Sequence, residues 1–249
     1  MNSPLPSENK PLKYAALDFE TAYWGPANAC SLGIVVSNGK EVIDEWYHLI
    51  RPMTLKFDAG CMKVNGIHPE DVAEEEPFPF FWDEIAKRLE GTIVFAHNAR
   101  FDMGVLASAL DFYHLPDIHF RYGDTVVLSR KLWKDMENHK LNTVAENLGF
   151  SFNHHQALDD ARACEYIVRK ALEETGLPSV EALMKETGQN LSKYIKQYRM
   201  EKARQMLEDT NMKIVCISEK VGYPNVSYFC QSFREYCGVS PQKFRENAE

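Results

Sequence analysis

The order of apolar and polar positions in the first part of the chain predicts strands. Tyr14–Glu20 and Cys30–Val36 are apolar enough for buried strands, and Val42–Ile50 partly alternates, as a half-buried strand does. The turn residues Asn38 and Gly39 separate the last two segments, so we expect these segments to form a hairpin.

Farther along the chain, the spacing of apolar residues changes to that of helices. The predicted helices are Phe80–Leu89, Phe101–Asp111, Asp124–Leu132, Leu141–Leu148 and Gln156–Glu174. The apolar run Thr92–Ala96, between the first two, predicts a buried strand. Strands that come first and then mix with helices indicate an α/β domain, with a mixed sheet flanked by helices.

A break in this pattern divides the chain at residues 176–179. It contains a glycine that can stop a helix, a proline, and a serine that can cap the next helix. Everything beyond it has the pattern of helices and short turns. We therefore expect two domains, at residues 13–175 and 180–249.

Composition excludes several classes of protein. Apolar residues make up 45% of the chain and charged residues 26%, as in ordinary folded proteins. No apolar run approaches the roughly 20 residues that a membrane span needs. The six cysteines show no zinc-type spacing, so we expect reduced thiols in a cytoplasmic protein.

The net charge of −8 argues at first sight against a nucleic-acid partner, but it is unevenly distributed. Residues 1–175 carry 17 Lys and Arg against 27 Asp and Glu, whereas residues 176–249 carry 11 against 9. An acidic first part and a mildly basic second part indicate two domains with different functions.

The first candidate site is a pair of carboxylates at the end of the first predicted strand. Residues i and i+2 of a strand point to the same side, so Asp18 and Glu20 can share one divalent cation. Two solvated acids on an edge strand are the alternative. The strand before them looks buried, and burying paired like charges is costly unless a cation compensates.

Two further acids and one histidine belong to the same hypothesis. Asp102 follows the strand Thr92–Ala96, where ligand sites of α/β sheets gather, although a carboxylate there also suits a helix N-terminus. Asp160 lies on the buried stripe of its helix, with no obvious basic partner nearby in sequence. His155, at the start of that helix, can act as a base or be structural.

Together these segments supply four acids and one imidazole. Hard carboxylate ligands select Mg²⁺ or Mn²⁺ rather than zinc. Two such ions can activate a water molecule and stabilise the leaving oxygen in phosphodiester hydrolysis, and a base near neutral pKa deprotonates that water.

Residues of about 13–174 resemble the DnaQ-like DEDDh 3′–5′ exonucleases, the class that includes the proofreading subunit of bacterial replicative polymerase. The motifs that carry the resemblance are Asp18-Phe19-Glu20-Thr21, His97-Asn98-Ala99-Arg100-Phe101-Asp102 and His155-Gln156-Ala157-Leu158-Asp159-Asp160-Ala161. The resemblance implies a ribonuclease-H-like fold. It also implies a two-metal-dependent enzyme that releases nucleoside monophosphates from the 3′ end of DNA, single-stranded or frayed.

The same resemblance implies a role for each motif residue. The two divalent ions, Mg²⁺ or Mn²⁺, would be bound by Asp18, which would bridge them, and by Glu20, Asp102 and Asp160. His155 would be the general base. The pocket for the terminal nucleotide would be lined by Phe19, Thr21, Asn98 and Phe101. The implied partner is nucleic acid, DNA before RNA, with a DNA polymerase or another replication or repair protein as a further candidate.

Residues from about Leu191 resemble the C-terminal DNA-binding segment of AraC-type regulators, a small all-α helix-turn-helix domain. The resemblance rests on IKQYRMEKARQML at 195–207, IVCISEKVGY at 214–223, SYFCQSFR at 227–234 and GVSP at 238–241. The helix at 225–236 would enter the major groove. Its candidate DNA contacts are Asn225, Ser227, Tyr228, Gln231 and Arg234. Its inward stripe would be Val226, Phe229, Phe233 and Tyr236.

Two departures from that family leave alternatives open. Residues 180–188 resemble only the tail of its first motif, and Gln231 stands where arginine is usual. Glutamine can bind adenine but attracts no phosphate. A helical appendage that docks on the nuclease or on a partner protein is therefore an equal alternative. For the whole chain, a DNA-binding regulator with an end-sensing, non-degrading nuclease domain and an RNA 3′–5′ exonuclease are the alternatives.

Overall fold

The computed structural model describes residues 13–25, 27–187 and 189–248. The strands among them form one mixed sheet. The strands are β1 (Tyr14–Thr21), β2 (Ala29–Ser37), β3 (Val42–Leu49), β4 (Ile93–Ala96), β5 (Arg121–Asp124) and β6 (Gln189–Asn190). They lie in the order β3-β2-β1-β4-β5-β6. The central strand β1 pairs antiparallel with β2 and parallel with β4, so the sheet is mixed.

Helices connect and follow these strands. In the first part they are α1 (Ala59–Asn65), α2 (Pro69–Val72), α3 (Trp82–Leu89), α4 (Arg100–Tyr113), α5 (Thr125–Leu132), α6 (Leu141–Asn147) and α7 (Ala157–Thr175). In the second part they are α8 (Val180–Thr187), α9 (Leu191–Asp209), α10 (Ile214–Lys220), α11 (Val226–Cys237) and α12 (Pro241–Ala248). Within the described ranges, no helix combines the length and apolar character that crossing a membrane requires.

The two faces of the sheet are covered by different helices because side chains alternate along β1. Leu17 belongs to a buried cluster with Met103 and Leu106 of α4. Tyr14, on the opposite face, belongs to a second cluster with Val168 of α7. The central strand is therefore buried between α4 and α7, and both helices start near its C-terminal end.

The start of α7 lies directly on the sheet, and a glycine makes that contact possible. A Cβ atom on Gly33 of β2 would overlap the carbonyl group of Ala157 and lie 2.5 Å from the Cα of Leu158. Gly33 is paired with Asp18 across the β1–β2 ladder. Because Gly33 has no side chain, the first turn of α7, which carries Asp160, can lie against the end of β1.

The second part of the chain packs in two places. Val180 and Leu183 of α8 are buried in the same cluster as Tyr14 of the sheet. Helices α9 to α12 have a core of their own, in which Phe229 and Phe233 of α11 are the largest fully buried side chains. The segment after residue 176 is therefore partly attached to the sheet.

The predicted fold class is confirmed: a mixed sheet flanked by helices, followed by a helical region. The helix predicted from Asp124 begins one residue later, because Asp124 ends strand β5, which the apolar pattern did not indicate. Tyr236 was wrongly assigned to the inward stripe of α11; it is 43% exposed, and its hydroxyl donates to Glu201. The domain limits 13–175 and 180–249 stay a prediction.

Candidate active site

Three carboxylates converge where β1 ends against α7. Asp18 and Glu20 project from the same side of β1, as the strand spacing requires, and Asp160 reaches them from the first turn of α7. One carboxylate oxygen from each of the three residues lies within 4.8 Å of those of the other two. Glu20 and Asp160 are buried, so the cluster faces inward.

Asp102 approaches the same strand end from the other helix. It lies in the first turn of α4, which begins shortly after β4 ends. Its Oδ1 accepts a hydrogen bond of 3.0 Å from the backbone N–H of Phe19, between Asp18 and Glu20. Its Oδ2 is buried and has no hydrogen-bond partner among the described residues.

Burial, together with the neighbouring carboxylates, raises the pKa values of Asp18, Glu20 and Asp102. Burial, and then the charges of Asp102 and Asp160, hold the pKa of Asp18 well above its ordinary value. Burial likewise raises the pKa of Asp102. Burial and Asp160 raise the pKa of Glu20 to about 7. A cation among them would favour their ionised forms and give the orphaned Asp102 oxygen a partner, so the donor set fits hard divalent ions.

A two-histidine segment precedes α7 and touches the cluster. The backbone N–H of His155 donates to Oδ2 of Asp160 at 3.0 Å, and His155 adopts a left-handed φ of 70°. Burial and His154 lower the pKa of the exposed His155 ring. Nδ1 of His154 lies 2.9 Å from Oδ1 of Asp160, and this hydrogen bond raises the pKa of His154. Sequence reasoning found no basic partner for Asp160; the structure places His154 there.

A cavity of about 870 Å³ opens onto these groups. Of the residues expected around a terminal nucleotide, all line it: Phe19, Thr21, Asn98 and Phe101. Asn98 is in a left-handed conformation, with φ of 64°, and Oδ1 of Asp124 accepts a bond from its N–H at 3.2 Å. Trp24, which the sequence analysis did not single out, also lines the cavity and is 83% exposed.

Helix α5 and the loop before α6 form one wall of the cavity, and this wall carries basic side chains. None of the sequence motifs included them. Arg130 and Lys140 are exposed there. His97 ties this loop to the end of β4, since its Nε2 lies 3.0 Å from the carbonyl oxygen of His139. Burial lowers the pKa of His97 to about 4, which leaves it neutral at physiological pH.

The candidate DNA-contacting residues lie on or just before α11, apart from this cavity. Asn225 caps the helix, because its Oδ1 accepts a 3.0 Å hydrogen bond from the N–H of Tyr228. The solvent-facing candidates are Ser227, Tyr228, Gln231 and Arg234. Gln231 donates to Glu235 at 3.2 Å, so an acid shares that face.

Two protein families match the chain in succession. Residues 15–168 match the family described as Exonuclease, and residues 179–247 match the family described as Helix-turn-helix domain. The DNA polymerase III PolC-type of Thermotoga maritima is 28% identical over 220 residues, which are 86% of this chain and 15% of that polymerase. The chain thus spans about a seventh of the length of that relative.

Solved structures share the fold of the first part. Exonuclease X, in complex with 5′ overhanging duplex DNA, has a TM-score of 0.53 and 21% identity, over 67% of this chain and 95% of that one. The nuclease domain of 3′hExo, a DEDDh family member bound to rAMP, has a TM-score of 0.56 and 19% identity, over 68% of this chain and 95% of that one. Both similarities establish the ribonuclease-H-like fold.

Proposed function

Because this chain belongs to the exonuclease family and has a 3′–5′ exonuclease domain of the DEDDh type, we propose that it releases nucleoside monophosphates from the 3′ end of DNA, single-stranded or frayed. The observation that carries the proposal is the convergence of an acidic cluster and a histidine at one cavity. The groups that line the cavity are Asp18, Glu20, Asp160 and His155, and Asp102 joins them at the same strand end through its hydrogen bond from the N–H of Phe19.

The four acids, Asp18, Glu20, Asp102 and Asp160, would hold two divalent ions, Mg²⁺ or Mn²⁺. Their oxygen donors suit these ions, and the buried, unpartnered Oδ2 of Asp102 supports a cation at this point. When bound, such ions supply positive charge that activates a water molecule and stabilises the leaving oxygen. Burial raises the pKa values of Asp18 and Asp102 in the chain without a cation, and a bound cation would lower them again.

His155 would take the proton from the attacking water on a ring nitrogen. Its lowered pKa keeps the imidazole neutral at neutral pH, as a general base requires. The water oxygen would form a bond to phosphorus as the bond from phosphorus to the 3′ oxygen of the preceding nucleotide breaks; the leaving 3′ oxygen would take a proton from solvent, and His155 would return its proton to solvent. The products are a nucleoside 5′-monophosphate and a strand with a new 3′ hydroxyl.

The cavity walls support a nucleic-acid end as the substrate. The exposed rings of Trp24 and Phe101 offer faces on which bases of any sequence can stack. Arg130 and Lys140 place positive charge where phosphates would pass, although the first part of the chain is acidic overall. Asn98 and Thr21 supply polar groups beside the terminal nucleotide.

We further propose that the helix-turn-helix region holds the nuclease on DNA. Helix α9 packs along α4, and Arg199 of α9 contacts Asp111 at the C-terminal end of α4. Asp102 is nine residues earlier on that helix, which corresponds to about 14 Å along its axis. DNA bound by α11 would therefore be held by a unit that is attached close to the active site. A DNA polymerase or another replication or repair protein is the partner that the PolC-type relatives favour.

The substrate class is tested by digestion of single-stranded DNA, frayed duplex and blunt duplex, and of RNA with the same sequence, each 5′-labelled, with Mg²⁺ or Mn²⁺. We expect a ladder that shortens from the 3′ end, fastest on single-stranded or frayed DNA. A ladder with RNA alone would show that the substrate is RNA and not DNA. No degradation of any substrate with either metal would favour the end-sensing regulator.

A further inference from the structure

His154 contacts both the proposed metal ligand and the proposed base. Its Nδ1 lies 2.9 Å from Oδ1 of Asp160. Its ring is stacked on that of His155, with centroids 3.8 Å apart and planes inclined by 20°. The motifs that identify the exonuclease domain gave this residue no role.

The contact with Asp160 has a defined direction. As a metal ligand Asp160 is ionised and can only accept hydrogen bonds, so Nδ1 of His154 is the donor in the metal-binding state. The other oxygen of Asp160 accepts from the backbone N–H of His155. Both oxygens of this buried carboxylate are therefore oriented by two consecutive residues. Hydrogen bonds of this kind fix the direction of metal ligands, and their loss typically weakens metal binding by about 10- to 100-fold.

The stacked ring of His154 is itself fixed by aromatic neighbours. Phe152 meets it edge-on, with centroids 5.6 Å apart. Phe150 stacks on Phe152 at 6.0 Å and on Tyr166 of α7 at 4.8 Å. A continuous column of rings thus runs from the body of α7 to His155. His155 is exposed, so its side chain would otherwise be free to change rotamer in solvent. The column of rings restricts that rotation.

We propose that His154 is a positioning residue that sets two catalytic groups independently: its Nδ1–H orients Asp160 for metal binding, and its ring face orients His155 for proton transfer. The second half rests on the proposed exonuclease function. The first half concerns only metal binding and stands on the donor chemistry of the cluster.

Two substitutions separate the two contacts. His154→Asn keeps a donor nitrogen near the position of Nδ1 but removes the ring. His154→Phe keeps a stacking ring but removes the donor. His119→Phe is the matched control, because His119 is exposed and lies outside the cavity. Circular dichroism and the unfolding midpoint establish that each variant is folded, and His154→Ala, which removes both contacts, is measured beside them.

The readouts are the dissociation constant for Mn²⁺, measured by calorimetry on the full chain without substrate, and kcat and KM on single-stranded DNA. For His154→Phe we expect Mn²⁺ to bind about ten-fold more weakly or worse, with kcat restored at saturating Mn²⁺. For His154→Asn we expect Mn²⁺ affinity within about two-fold of wild type, with kcat about ten-fold lower, KM unchanged and no rescue by metal. His154→Ala should show both defects.

Wild-type Mn²⁺ affinity in His154→Phe would overturn the metal-orienting role. Wild-type kcat in His154→Asn would overturn the support of His155. Equal losses of both quantities in the two variants would indicate a general structural role and would also overturn the proposal. If the wild-type chain cleaves no nucleic acid, the exonuclease proposal fails, whereas the Mn²⁺ measurement still decides the first half.

Discussion

Arg199 of α9 donates two hydrogen bonds to Oδ1 of Asp111 in α4, at 2.8 Å from Nε and 2.5 Å from its terminal nitrogen. The two side chains are only 15% and 4% exposed. Gly222, in the turn between α10 and α11, closes over the pair: a Cβ there would lie 3.0 Å from each side chain. The helix-turn-helix region is therefore docked on the nuclease region through a buried ion pair.

Asp111→Ala should weaken this docking strongly. It leaves the largely buried Arg199 charge with the longer, 3.5 Å contact to the exposed Asp117, and removing one partner of a buried ion pair typically costs about 3 kcal/mol. We expect a lower urea midpoint and faster proteolysis within residues 189–248. Glu235→Ala is the matched control, since the Lys196–Glu235 pair is 39% and 54% exposed and such pairs contribute under about 1 kcal/mol. Equal midpoints for the two variants would contradict the docking.

Gly33→Ala should damage the active site from a distance. The added methyl group would overlap the backbone of Ala157, which cannot rotate away as a side chain can, so the start of α7 must shift. Asp160 would move with it. We expect lower stability by about 2 kcal/mol and weaker Mn²⁺ binding. Gly60→Ala is the control, because nothing lies within 4 Å of a Cβ there. Unchanged Mn²⁺ affinity in Gly33→Ala would show that this contact does not position Asp160.

The metal-free protein should lose stability as pH rises from about 5 to 8. The pKa of Glu20 is about 7 in the folded chain, above its ordinary value of 4.5. A carboxyl of this kind binds its proton more tightly when folded, so it destabilises the fold as pH increases through that window. The largest possible contribution is about 3 kcal/mol.

Thermal unfolding in EDTA across this pH range tests the effect. Glu20→Gln should flatten the decline, and Mg²⁺ at pH 8 should raise the wild-type midpoint because a cation favours the ionised carboxyls. Glu41→Gln, at an exposed acid remote from the cavity, should leave the decline unchanged. A midpoint that rises with pH in the wild type would contradict the assigned pKa shift.

Local periodicity made much of the site predictable from sequence. Strand alternation places Asp18 and Glu20 on one side, and the helical stripe turns Asp160 inward; neither inference needs knowledge of distant residues. The contact of His154 with Asp160 instead occurs where the next residue, His155, adopts a left-handed backbone, and that conformation has no clear signal in sequence. The Arg199–Asp111 pair joins positions 88 residues apart, beyond what local patterns can indicate.

Arg234→Ala tests whether α11 contacts DNA. If this exposed residue binds a phosphate, the variant should bind duplex DNA more weakly. The slope of the logarithm of its binding constant against the logarithm of salt concentration should also fall in magnitude by about one. Binding is measured by fluorescence anisotropy in EDTA, which prevents degradation. Lys243→Ala, at another exposed cation on α12, controls for the change of net charge. An unchanged salt slope would indicate that the helix-turn-helix region serves only as a docked appendage.

The central claim is that these carboxylates and His155 form a metal-dependent 3′–5′ exonuclease. The most direct measurement is the gel-resolved shortening of 5′-labelled single-stranded DNA by the wild type and by His155→Ala, with Mg²⁺, Mn²⁺ or EDTA. We expect stepwise shortening from the 3′ end that EDTA abolishes, and a kcat lower by about 10²- to 10⁴-fold in His155→Ala with the affinity for Mn²⁺ retained. Equal activity of the two proteins, or undiminished activity in EDTA, would contradict the account.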